Sequence, residues 1–167
     1  MIHDVDGARF AWRECGDGSI VALFHGLGGS RISWEPQLHG LSDRWRVAAW
    51  DLPGYGNSAP LPDEPYTFHA LASAAAGWIT ELGAQKVHVV GVSRCGMIAP
   101  CLAAWHPDRV RSLTLLSTSP RFGLDGTRQV IVDSIPFPID SLAVSADGKL
   151  VAVCTKMLSD EGVSAEC

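Results

Sequence analysis

The sequence predicts an α/β fold in three layers, a mostly parallel sheet with helices on both faces. Three observations carry this expectation. Four continuous apolar runs recur between residues 19 and 118, helical patterns separate them, and glycine-rich turns follow several of the runs. A strand covered on both sides has no solvent face to alternate with, so a continuous apolar run is the mark of a parallel strand buried between helices.

The elements follow in order. "ARFAWREC" (8–15) alternates apolar and polar residues after the Asp6-Gly7 turn, so residues 2–15 read as an opening antiparallel hairpin. "SIVALFHG" (19–26), "WRVAAWDLP" (45–53), "KVHVVGVS" (86–93) and "VRSLTLLST" (110–118) are the four candidate parallel strands. Between them, "WEPQLHGLSD" (34–43), "TFHALASAAAGWITELG" (67–83) and "RCGMIAPCLAAWHP" (94–107) carry helical periodicity, with Thr67 placed as N-cap and Gly83 just past the C-terminus of the second. Alternation of this kind implies right-handed crossovers and a single covered sheet.

After about residue 121 the pattern changes. Residues 1–127 read as the core, and 128–167 as an atypical tail with no βα unit, in which "IDSLAV" and "KLVAVC" flank "SADG" as a β-hairpin closed near Asp147-Gly148. At 167 residues with 47% hydrophobic and 19% charged, the chain suits one buried core rather than two. A net charge of −5 without a Lys/Arg run argues against nucleic acid and anionic membrane as partners. The start "MIHDVDGARF" lacks the features of a secretory signal, and no run approaches the ~18 apolar residues of a membrane span, so the cytoplasm is the expected location. Five scattered cysteines, Cys15, Cys95, Cys101, Cys154 and Cys167, with no CxxC pair, read as reduced thiols rather than disulfides or metal ligands. No metal or organic cofactor is expected.

In open α/β sheets reactive groups gather beyond the carboxyl ends of the strands. Three loops sit there. "HGLGGS" (25–30) is rich enough in glycine to expose backbone N–H groups to a small anion, although an ordinary βα turn has the same composition. "DLPGYGNS" (51–58) ends a strand at Asp51, whose carboxylate reads as a turn stabiliser accepting backbone N–H groups. "GVSR" (91–94) runs from strand into helix with Ser93 at the corner. Ser before a helix is often an N-cap, but a strand–turn–helix with glycine two residues earlier is the context that lifts a nucleophilic serine into a cleft.

Taken together, "FHGLGGSRISWEPQL", "AWDLPGYGNS", "HVVGVSRCGMIA" and "AAWHPDRVRSLTLLSTSPRFG" resemble, in order and separation, the first two-thirds of an α/β-hydrolase. The chain is similar to 3-oxoadipate enol-lactonase-like and related small carboxylic-ester hydrolases over residues 5–127. The resemblance implies that Ser93 is the acyl-forming nucleophile and that Leu27 and Arg94 lend backbone N–H groups to an oxyanion hole. His25, Gly26, Gly28 and Gly91 would shape the loops. The implied activity is serine-type hydrolysis of a small-molecule ester or lactone, with a fold missing or replaced in its last third. Serine at the elbow argues against a dehalogenase, whose family places a carboxylate there.

The family order puts an acid and then a histidine after the serine, and no histidine follows His106. The general base is therefore unassigned. Asp125 is the nearest candidate acid, although "GLDG" also reads as a simple turn. Two further departures are Cys95 at the small position after the serine and Pro100, expected to remove a helix bond to the Gly96 carbonyl. Impaired activity follows from these features, and the alternatives are a non-catalytic binding or regulatory module or a non-functional fragment. An uncovered sheet edge would favour self-association.

Overall fold

The computed structural model describes residues 1–62, 65–93 and 95–116, together with the backbone of four two-residue strands further on. Six strands form one sheet in the order β1-β2-β4-β3-β5-β6: β1 (His3–Asp6), β2 (Ala11–Cys15), β3 (Ile20–Phe24), β4 (Arg46–Trp50), β5 (Val87–Val92) and β6 (Val110–Leu116). β1 pairs antiparallel with β2 in the predicted hairpin, and β2 pairs antiparallel with β4. The four apolar runs are the four parallel strands, β4 on β3, β3 on β5 and β5 on β6.

The core explains why those runs do not alternate. Ala22 and Phe24 of β3 face one cluster with Trp50, Trp78, Ile98 and Leu102, whereas Val21 and Leu23 face the other with Trp34 and Leu38. The first layer is α2 (Phe68–Glu81) and α3 (Ile98–Trp105), the second α1 (Glu35–Leu41). Both faces are covered, so both faces are apolar. Trp50 of β4 stacks on Trp78 of α2 with ring centroids 5.0 Å apart and planes 17° from parallel, which docks the helix on the sheet. Helix α2 starts where Thr67 Oγ1 accepts the Ala70 N–H and stops before Gly83 at φ +75°, the ends read from the sequence.

One local expectation is corrected. Pro100 does not interrupt a helix running over 94–107, because residues Cys95–Met97 form a 3-10 turn and α3 begins at Ile98. Pro100 therefore lies in the first turn, where N–H groups have no intrahelical acceptor to lose, and its ring is buried. Gly96 is the residue seen to need its small size at the helix–strand approach, since a Cβ there would lie 2.7 Å from the Gly91 carbonyl carbon, whereas the Cys95 side chain lies outside what the structure describes.

Beyond β6, Arg121–Phe122 pairs antiparallel with Gln129–Val130, and Ala143–Val144 with Val151–Ala152, the latter two flanking residues 145–150. Asp125 and the Asp147-Gly148 turn lie outside the described residues. Among the described residues no helix is long and apolar enough to cross a membrane, and Cys15 and Cys101 are free and buried.

Candidate active site

Parallel pairing of β3, β4 and β5 brings the three loops that follow them to one edge of the sheet. Ser93 sits at the corner after β5 and takes φ +59°, the left-handed region, as the one described non-glycine residue there. That conformation costs a side-chain-bearing residue about 1–2 kcal/mol. It is enforced from two sides. The Ser93 N–H donates to the Leu116 carbonyl at 2.8 Å, so β6 holds the corner through its last residue. Behind it Gly91 and Gly96 touch backbone to backbone, where a Cβ on Gly91 would stand 2.7 Å from the Gly96 oxygen and 2.8 Å from Ala99 Cβ. Only that closeness lets the chain turn from strand to helix within so few residues.

The loop after β3 closes over the serine. A Cβ on Gly26 would lie 3.0 Å from Ser93 Cβ and 3.5 Å from its Oγ, so Gly26 presents bare backbone to Ser93. Leu27 follows and is 62% exposed. Gly28 takes φ +75°. The loop ends in a capping box in which Ser30 Oγ accepts the Ile32 N–H and Ser33 Oγ accepts the Ser30 N–H. Arg94 lies outside the described residues.

The third loop supplies the scaffold. Asp51 is 1% exposed and its Oδ1 accepts the Arg31 backbone N–H at 2.7 Å, while Oδ2 accepts that of Asn57 at 3.0 Å. Gly56 must lack a side chain because a Cβ there would collide with the Asp51 carboxylate. Ser58 Oγ donates to the Asp51 carbonyl and accepts the Ala11 N–H. The buried Arg31 guanidinium reaches Asp6 at 2.6 Å, Asp4 at 3.5 Å and Asp51 at 3.6 Å, tying the opening hairpin to two of the loops. Sequence reasoning did not single out Arg31. Its partners lie 20 to 27 residues away, and no local pattern marks them.

The histidines divide by position. His25 alone follows a strand adjoining β5 at its carboxyl end, and it is 1% exposed. Its Nδ1 lies 2.8 Å from the Gly26 carbonyl and its Nε2 accepts the Leu52 N–H at 3.1 Å. Burial, the leading cause, holds it below the ordinary histidine range, against the raising effects of the Gly26 bond and of Asp51. His88 is early in β5, bonded through Nδ1 to Ser112 Oγ at 2.7 Å and edge-on to Trp45. His106 ends α3, its Nε2 3.4 Å from Ser73 Oγ, and His69 packs on Trp105. His3 is in β1 and His39 in α1. Among the described residues no group of His, Cys, Asp or Glu is placed to hold a metal.

A six-stranded, mostly parallel sheet covered by helices, with a left-handed serine at a strand-to-helix corner beside a glycine-rich loop, defines an α/β-hydrolase-like architecture. The family described as alpha/beta hydrolase fold matches residues 20–140, and the chain belongs to it. It is 37% identical over 118 residues to RutD of Caulobacter segnis, named as a carbamate hydrolase, covering 70% of this chain and 42% of that protein. It is 36% identical over 107 residues to a pimeloyl-[acyl-carrier protein] methyl ester esterase of Aeromonas hydrophila, covering 64% and 41%. Among solved structures, an epoxide hydrolase from an endophytic Streptomyces superposes with a TM-score of 0.65 at 33% identity, over 72% of this chain and 38% of that one. The chain thus spans less than half the length of these relatives.

Proposed function

We propose that Ser93 is the nucleophile of a serine hydrolase acting on a small carboxylic ester or lactone through an acyl-enzyme. The observation that carries this reading is Ser93 at φ +59°, held against the bare backbone of Gly26. In the reaction Ser93 Oγ attacks the carbonyl carbon and gives its proton to solvent water, which returns it to the leaving alkoxide, while the carbonyl oxygen becomes an oxyanion accepting the N–H groups of Leu27 and Arg94. Collapse expels the alcohol as it regains a proton, and water then releases the acid and restores the serine. Relatives named as a carbamate hydrolase and a methyl ester esterase support a carbonyl substrate, and serine rather than a carboxylate at the elbow favours acyl chemistry.

One observation favours a second reading, a binding module without turnover. Both ring nitrogens of His25 are committed to backbone partners, which leaves it unable to take the serine's proton. An oxyanion hole and binding site without a full triad can still give about 10³–10⁴-fold acceleration over water. The test is a fluorophosphonate probe together with an activated aryl ester. Weak labelling abolished by Ser93→Ala, with slow hydrolysis, is the expected result. No labelling of a well-folded chain would favour the binding module, and labelling that survives in Ser93→Ala would overturn the nucleophile.

A further inference from the structure

Strand β6 ends the order of the six-stranded sheet, and β5 is its one ladder partner there. In a strand the N–H and C=O of a residue turn to the same side, and the side alternates from residue to residue. The Leu116 carbonyl is turned toward β5, because it accepts the Ser93 N–H. One and three residues earlier, Leu115 and Leu113 therefore turn their backbone groups to the outer side. That side is not in water: Leu113 is 3% exposed and Leu115 6%, figures that include their N–H and C=O groups. Backbone groups withdrawn from water are as a rule hydrogen-bonded, and none of the other five strands reaches these two on that side.

A neighbour stands at that edge. Cα atoms of the strand Val151–Ala152 lie within 8 Å of Cα atoms of β6. Sheets stacked face to face are about 10 Å apart and strands side by side about 4.8 Å, so the approach is that of a lateral neighbour. The far side of Val151–Ala152 is taken by Ala143–Val144, paired Val151 with Val144 and Ala152 with Ala143. In sequence this strand falls within "KLVAVC" (149–154), an unbroken apolar run after its lysine, the same mark that identifies β3 to β6 as strands covered on both faces.

We propose that the outer edge of β6 is the docking surface for the chain's own segment around Val151–Ala152, whose backbone takes up the Leu113 and Leu115 groups and so braces the strand that holds Ser93. The brace acts through one bond, from the Ser93 N–H to the Leu116 carbonyl at 2.8 Å, which keeps the left-handed corner in place. The docking is independent of the serine-hydrolase reading above; its effect on Ser93 reactivity rests on that reading.

The experiment is NMR of the full chain. Cross-peaks are expected between the backbone protons of Val151 or Ala152 and those of Leu113 or Leu115, and the Leu113 and Leu115 amides should exchange with solvent as slowly as those of Ser112 and Thr114, which face β5. Only one of the two tail residues turns its N–H toward β6, so Val151→Pro and Ala152→Pro are made separately. One of them should speed exchange at Leu113 and Leu115 by about tenfold or more while Ser112 and Thr114 stay protected. In that variant Ser93 phosphonylation by a fluorophosphonate should slow about tenfold, short of the roughly 10²-fold that an ångström of misplacement can cost. Missing cross-peaks, or parent amides at Leu113 and Leu115 that exchange freely, would overturn the docking whether or not the variants fold. Protection that disappears on dilution would overturn it in favour of a second copy on the edge. Freed amides with labelling unchanged would overturn the brace. A parent that does not label at all would sink the nucleophile reading, and the cross-peaks and exchange rates would still decide the docking.

Discussion

Gly91 and Gly96 meet face to face, with so little room that a Cβ on Gly91 would stand 2.7 Å from the Gly96 carbonyl oxygen. The pair sets how sharply the chain turns at Ser93. Gly96→Ala is expected to cost about 1–3 kcal/mol as an overpacked contact and to reduce Ser93 labelling. Gly40, with open space around it inside α1, is the control: Gly40→Ala should stabilise by about 0.5–1 kcal/mol through helix propensity. Equal melting temperatures for the two variants would contradict the reading.

Strain at Ser93 can be separated from its chemistry. Ser93→Gly relieves the left-handed backbone and Ser93→Ala does not, while both remove the hydroxyl. Ser93→Gly should melt above Ser93→Ala, and neither should label. An alanine variant at least as stable as the glycine one would mean that the corner stores no strain.

Asp51 is a buried anion whose partners are backbone N–H groups and the Arg31 guanidinium. Asp51→Ala leaves those donors and a buried cation without their acceptor, at a cost of about 3 kcal/mol or more. Asp51→Asn keeps one acceptor oxygen and should cost less. Urea denaturation reads both, and a loss below about 1 kcal/mol in Asp51→Ala would show that the network relaxes around the gap.

Burial is the leading cause that holds both His25 and His88 below the ordinary histidine value of 6.5, with Arg111 adding to it at His88. The folded chain thus binds these protons less tightly than the unfolded chain. Their contribution to stability is full above the ordinary value and is lost as pH falls through it toward the folded values. The urea midpoint should be lower at about pH 5.5 than at about pH 7.5, and an unchanged or higher midpoint would contradict this.

What could be read from the sequence follows from how local each signal is. The runs over 19–26, 45–53, 86–93 and 110–118 declare parallel strands because burial on two faces removes every polar position, and Thr67 and Gly83 mark helix ends through their own backbones. Ser93 was legible from four residues around it. The Gly91–Gly96 contact was not, because it depends on residues 95–97 winding as a 3-10 turn before α3 begins, which also made Pro100 look disruptive. The Arg31 cluster was hidden for another reason: Asp6, Arg31 and Asp51 come together only after the sheet order places β2 beside β4.

The stacked indoles of Trp50 and Trp78 have an optical consequence. Two such chromophores 5.0 Å apart and nearly parallel share their excited states, so the circular dichroism of the native chain should carry an exciton couplet that vanishes when α2 lifts from the sheet. The reporter sits between β4 and α2 and needs no label, which lets the docking of that layer be followed by light alone while Ser93 is being modified.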